Sequence, residues 1–199
     1  MLLLITGGSG SGKSEYAETK TAELGEATGG RMIYIATMEP YDEESYKRIE
    51  RHRHMRRNRN FITVECYTHL EDLEWDSTDT VLLECISNLT ANEMYSEKGR
   101  KSKVSDVILQ GIRKIVQQAA NLVVVGNNVF EDGVIYDEST QEYMRQMSVI
   151  QNEIAKDAQQ VTEVVCGIPI MMKQEMLQEN GVQSEMVRKM KLQKGELQP

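Results

Sequence analysis

The sequence has little of what builds cross-linked or membrane-embedded proteins. Its three cysteines, Cys66, Cys85 and Cys166, stand far apart with no Cys-x-x-Cys pair. That spacing argues against a disulfide framework and against a cysteine zinc site, so each is expected to be a small buried hydrophobe. No apolar run approaches the ~20 residues of a membrane-spanning helix. The run near the start, Met1 to Ile5, also lacks the charged flank and cleavage site of a secretory signal, and the expected location is cytoplasmic. Prolines number only three, and no Pro- or Ser-rich linker, internal repeat or low-complexity segment divides the 199 residues. One domain is expected from that length. Net positive charge is missing as well. The formal charge is -8, which disfavours a nucleic-acid partner, since phosphate backbones are met by positive surfaces.

What is present begins with a local exception to that charge. Lys47 to Asn60 carries seven Lys or Arg against the single Glu50, a formal charge of +6 that leaves -14 on the rest of the chain. A solvated helix face and a site for a small polyanion both fit such a run. Around it lie short apolar runs with the content of strands buried on both faces: Leu2 to Thr6, Met32 to Ala36, Val81 to Leu83, Leu122 to Val125 and Val164 to Cys166, with Ile62 to Val64 a weaker sixth. Helical spacing falls between them, at Ser14 to Leu24, Glu43 to Arg57, Lys103 to Ala119 and Thr140 to Ala158. The alternation predicts an α/β domain, a mostly parallel sheet with helices on both faces. That domain is expected to span residues 1–173. Residues 174–199 form a polar C-terminal extension, a peripheral helix or a disordered tail.

The first strand runs into Gly7-Gly8-Ser9-Gly10-Ser11-Gly12-Lys13-Ser14, a full match to G-x-x-x-x-G-K-[ST]. A strand before and a helix after let backbone N–H groups and the positive helix end surround phosphate oxygens. Lys13 is then expected at the β- and γ-phosphates and the Ser14 hydroxyl on Mg²⁺. A carboxylate to complete the magnesium shell is expected at a neighbouring strand end, where Glu84 follows Val81-Leu82-Leu83. In the basic segment, helical spacing sets Arg48, His52 and Arg56 on one face. An imidazole between two permanent cations is disfavoured as imidazolium and keeps a lone pair able to attack phosphorus. Spacing alone nonetheless favours an exposed histidine with no role.

Taken in order, the phosphate loop, Tyr34-Ile35-Ala36-Thr37, Arg48-Ile49-Glu50-Arg51-His52-Arg53, Thr63-Val64-Glu65, Leu82-Leu83-Glu84-Cys85 and Val164-Val165-Cys166-Gly167-Ile168-Pro169 resemble the bifunctional adenosylcobinamide kinase/adenosylcobinamide-phosphate guanylyltransferases of cobalamin biosynthesis. The resemblance runs from Leu2 to about Lys173. It implies a RecA-like P-loop fold, a trimeric homo-oligomer, a corrinoid substrate, GTP or ATP as phosphate donor, and GTP as GMP donor through a guanylyl-histidine. It makes His52 the nucleophile and sets Arg53, His54, Met55 and Arg56 beside the nucleotide. It also implies that Ala36, Thr37 and Met38 line the nucleotide and that Glu65 and Glu84 contact it or its metal. The chain departs from the family pattern at Asn128, Gln151, Asn152, Gln159 and Gln160, where three acidic positions have become amides. A carboxylate lost there implies a weakened activity or altered corrinoid specificity. Two other readings stay open on the sequence: a small-molecule kinase of other specificity, and a nucleotide-binding regulator without chemistry.

Overall fold

A computed structural model describes residues 1–56, 59–129, 133–134 and 136–175, apart from the Met55 side chain. Among these residues seven strands form one sheet: β1 (Leu2–Thr6), β2 (Met32–Ala36), β3 (Ile62–Glu65), β4 (Thr80–Glu84), β5 (Asn121–Val125), β6 (Gln160–Val165) and β7 (Ile168–Gln174), in the order β3-β2-β4-β5-β1-β6-β7. All neighbours are parallel except β6 and β7. The helices are α1 (Lys13–Thr28), α2 (Glu43–Arg56), α3 (Ile86–Tyr95), α4 (Val104–Gln118) and α5 (Glu138–Asp157), with a 3-10 turn at Leu70–Asp72.

Period-two alternation sends each central strand into two cores. Leu2, Leu4, Ile33, Ile35, Val81, Leu83, Leu122 and Val124 pack with α3, α4 and α5 on one face. Leu3, Ile5, Tyr34, Leu82, Val123 and Val125 pack with Ala17 of α1 on the other. Burial on both faces is why these strands are unbroken apolar runs rather than alternating ones. The sheet therefore has helices on both sides, as expected. No helix among the described residues is long and apolar enough to cross a membrane.

Local chemistry sets the element ends. Gly29 takes the left-handed conformation (φ 68°) and returns its N–H to Gly25 O, closing α1. Asp137 caps α5 by accepting the Thr140 N–H at 3.0 Å, so the helix begins before the expected Thr140. The β6–β7 turn places Cys166 at φ 50° and Gly167 at φ 80°, a hairpin geometry that makes Cys166 exposed. The expectation of three buried cysteines is thus corrected: Cys66 is buried and Cys85 partly so, but Cys166 stands in a turn. The pairing of β7 through Gln174 also carries the sheet one residue past the expected boundary at 173. Arg57 and residues 176–199, most of the expected extension, lie outside the described residues.

Candidate active site

Parallel strands bring their carboxyl ends to one edge, and ligands of such sheets bind there where the strand order switches. At that edge the loop from Gly7 to Gly12 joins β1 to α1. Gly10 and Gly12 have φ of 71° and 90°, which side chains disfavour. A Cβ on Gly7 would meet Val164 O at 2.5 Å. The β6–β7 turn braces the loop from outside, Gly167 donating its N–H to Ser11 O at 2.8 Å. Lys13, at the first position of α1, is buried and donates Nζ to Gly8 O at 3.0 Å. Burial lowers its pKa from the ordinary lysine value, against the pull of Cys85 and Glu84.

Glu84 ends β4, separated from β1 by β5, and its carboxylate gathers the site. Oε1 accepts from Ser14 Oγ at 2.6 Å and lies 3.3 Å from His52 Nδ1; Oε2 accepts from Tyr34 OH at 2.8 Å. Burial would push this acid up, but His52, Ser14 and Tyr34 together hold it below its ordinary value. Thr37 is fully buried and supports this strand end: its Oγ1 accepts the Cys85 N–H at 2.7 Å and lies 2.9 Å from the Glu84 carbonyl.

Helix α2 supplies the opposite wall. Asp42 Oδ1 starts it by accepting the Ser45 N–H at 2.8 Å. One turn apart, His52 faces Glu84 and Arg56 stacks over the Tyr34 ring at 3.4 Å. Arg53 reaches Glu65 at 3.1 Å, and Tyr67 OH donates to the other Glu65 oxygen at 2.9 Å. These groups line a cleft of about 670 Å³, large enough for a nucleotide.

The structure brings together Ser9 to Ser14, Ala36, Met38, His52, Arg53, Arg56, Glu65 and Glu84 around that cleft, with Arg48. Gly7, Gly8, Thr37 and His54 are not part of its wall. His54 lies two residues beyond His52, on another side of the helix, and is exposed. The Met55 side chain lies outside the described residues.

The chain matches, over residues 3–172, the family described as cobinamide kinase / cobinamide phosphate guanyltransferase. It belongs to that family. It is 29% identical over 187 residues to the bifunctional adenosylcobalamin biosynthesis protein CobU of Escherichia coli (strain K12), covering 87% of this chain and 100% of that one. It is 28% identical over 182 residues to CobP of Pseudomonas aeruginosa, covering 87% and 98%. Among solved structures it is similar to the flagellar accessory protein FlaH of Methanocaldococcus jannaschii, with a TM-score of 0.49 at 15% identity over 88% of this chain and 79% of that chain.

Within this family member, the amide departures divide by position. Gln159 and Gln160 stand at the start of β6, the opposite end of the sheet from the phosphate loop, where Gln159 Oε1 accepts the Leu2 N–H at 2.6 Å. Asn128 donates its N–H to Gly7 O at 3.2 Å, and Gln151 donates to Asn127 O at 3.1 Å; both therefore adjoin the site without lining it. Asn152 is exposed on α5.

Sequence reasoning missed Tyr34, Tyr67, Asn88 and Asn127 as cleft residues. Tyr34 carried a signal: it is the one side chain of its strand run with a hydroxyl, which needs a partner once buried. The carboxylate beside His52 carried none, because helix spacing shows only neighbours on the same helix.

Proposed function

We propose that this chain phosphorylates the hydroxyl of adenosylcobinamide and then transfers GMP from GTP to the phosphate, both within the cleft at the phosphate loop. The observation that carries this reading is the 3.3 Å approach of His52 Nδ1 to Glu84, which sets a basic-helix imidazole inside the cleft of the Gly-Lys-Ser loop.

In the first reaction the loop amides and Lys13 hold the β- and γ-phosphates while the substrate hydroxyl attacks in line; the new O–P bond forms as the bond to the β-phosphate oxygen breaks. Mg²⁺ fits the donor set, since Ser14 Oγ and the Glu84 carboxylate offer only oxygen, the ligand type it requires. When bound, it would offset charge on the bridging phosphate oxygens. In the second reaction His52 acts as nucleophile. Nδ1–H donates a hydrogen bond to Glu84, which keeps the proton on Nδ1, leaves the lone pair on Nε2 and fixes the ring, much as a triad carboxylate does. Nε2 attacks the α-phosphorus, an N–P bond forms, and pyrophosphate leaves, with Arg48, Arg53 and Arg56 available to its charge. The corrinoid phosphate then takes the GMP and frees the imidazole.

GTP as GMP donor, GTP or ATP as phosphate donor, and a trimeric assembly all belong to this reading. The apolar side chains exposed on edge strand β7, Ile168, Ile170, Met171 and Met172, support association with further copies. Incubation with α-labelled GTP is expected to label the protein in an acid-labile, base-stable bond and to release pyrophosphate. Full labelling of His52→Ala would remove His52 from the mechanism.

A further inference from the structure

Away from the cleft, the chain leaving β3 turns at His69, which has φ 59°, and packs against α3 around two carboxylates. Glu93, fully buried on α3, accepts the backbone N–H of His69 at 2.6 Å and of Arg100 at 2.8 Å. Glu71 is 11% exposed; its Oε1 takes Arg100 Nη2 at 2.7 Å, while its Oε2 is buried without a hydrogen-bond partner. The imidazole of His69 completes the group. Its Nε2 lies 2.8 Å from the Lys98 carbonyl. A carbonyl can only accept, so the proton is on Nε2. Nδ1 is buried, has no hydrogen-bond partner, and stands 3.6 Å from Glu71 Oε1.

Two carboxylates against one guanidinium leave negative charge beside two atoms that solvent does not reach, Glu71 Oε2 and His69 Nδ1. A lone pair on Nδ1 faces the same oxygens, and only something positive relieves that contact. We propose that His69 Nδ1, Glu71 and Glu93 bind a divalent cation of the Zn²⁺, Co²⁺ or Mn²⁺ class. One imidazole nitrogen and two carboxylates make a mixed N/O set, which suits these ions better than the all-oxygen cages of Ca²⁺ or Mg²⁺. The Nε2–H bond to a backbone carbonyl is the outer partner by which metal-binding histidines are oriented. One ligand atom from each residue lies within 4.8 Å of the others. The 3.6 Å edge between Nδ1 and Oε1 is near the about 3.3 Å edge of a tetrahedron with ~2.0 Å ligand bonds.

The site is distinct from the nucleotide cleft, whose wall includes none of the three residues. It ties the 3-10 turn to α3 beside Asn92, which donates to the backbone carbonyls of Thr37 at 2.8 Å and Tyr67 at 3.0 Å. A bound cation therefore braces the scaffold behind the cleft and takes no part in transfer.

Co²⁺ is the probe. Untagged full-length protein, stripped with chelator and free of nucleotide, is expected to bind one equivalent of Co²⁺ with visible d–d absorption, displaced by Zn²⁺, and to melt at a higher temperature. His69→Ala and Glu71→Gln should each weaken that binding at least about tenfold, whereas Ser14→Ala, which alters the phosphate loop, should keep it. No stoichiometric absorption in the wild type, or an unchanged titration in His69→Ala, overturns the proposal and gives Nδ1 to a proton instead. Should the variants fail to fold, Mn²⁺ added to the wild type reads the same point by NMR. Selective broadening of the His69 ring over His52 and His54 supports the site, and equal or absent broadening overturns it.

Discussion

Glu18 is the most exacting test of the electrostatics around the cleft. It lies one turn after Ser14 on α1, is 1% exposed, and has a buried Oε1 with no hydrogen-bond partner. Burial first, and repulsion from Glu84 second, push its carboxyl from the ordinary 4.5 up to about 7, against the pull of Arg56, Arg59 and His52. Between those two values the folded chain holds a proton that the unfolded chain has released. Stability therefore falls as pH rises through the window, the reverse of a salt-bridged acid. At ~1.4 kcal/mol per pH unit the displacement caps the effect at about 3 kcal/mol, and relaxation of the folded chain around the charge is expected to leave about 1–2 kcal/mol. Replacing Glu18 by Gln removes the titration but keeps the shape. In urea denaturation at pH 5 and pH 8 without nucleotide, the wild type should lose about 1–2 kcal/mol relative to Glu18→Gln. The comparison is between slopes, so any fixed cost of the new amide cancels. Parallel pH profiles, or a variant that loses more than the wild type towards pH 8, would refute the reasoning.

Glu84 should behave in the opposite sense: its carboxyl sits below the ordinary value, so its contribution is present above pH 4.5 and fades as acid protonates it, and Glu84→Gln should flatten the acid limb of an unfolding profile. Gly7→Ala places a Cβ 2.5 Å from Val164 O and 2.7 Å from Ser11 Oγ, so calorimetry should find the chain less stable by about 1–3 kcal/mol and nucleotide binding lost. Lys13→Ala should lower the phosphoryl-transfer rate by ~10²–10³-fold in a steady-state assay, as for other donors aimed at developing charge; an unchanged rate would count against the loop's role. Gln159→Glu with Gln160→Glu should leave both activities unchanged, because these residues stand at the far end of β6, and a changed rate would mean the two ends of the sheet are coupled.

The sequence was legible where one force decided the outcome. Strands buried on both faces must be apolar throughout, so β1, β2, β4 and β5 stood out, and the loop after β1 carries a spacing that phosphate geometry dictates. Helix α3 was hidden because Ile86–Tyr95 mixes buried Ser87, Thr90, Asn92 and Glu93 with its aliphatic residues: Thr90 bonds back to Ile86 O within the helix, and Ser87, Asn92 and Glu93 are satisfied by tertiary contacts that no periodicity reports. Strand β7 was hidden for the opposite reason. Ile168, Ile170 and Met172 are exposed at the sheet edge, and Pro169 reads as a strand breaker, yet positive φ at Cys166 and Gly167 folds the chain back onto β6. In the site, the residue types were visible and their convergence was not. Glu84 and His52 are far apart in sequence, and only the crossing of α2 over the end of β4 makes them neighbours.

That crossing is held by charge rather than by an apolar face. Helix α2 exposes Tyr46, and its described contacts with the body run through His52 to Glu84, Arg53 to Glu65 and Arg56 to the Tyr34 ring. The Arg53 pair is half exposed on both sides, so it contributes at most about 1 kcal/mol and weakens with salt. Arg56 differs. It is buried, its stacking on Tyr34 is worth ~1–2 kcal/mol when desolvated, and its Nη1 has no hydrogen-bond partner. An unsatisfied buried guanidinium nitrogen is costly in an empty cleft and useful in one that receives a polyanion, because a phosphate oxygen can supply the missing acceptor. Arg56 Nη1 is thus the donor on α2 expected to favour a polyanion over an uncharged ligand in this cleft, and Arg56→Met should weaken triphosphate binding more than it weakens nucleoside binding.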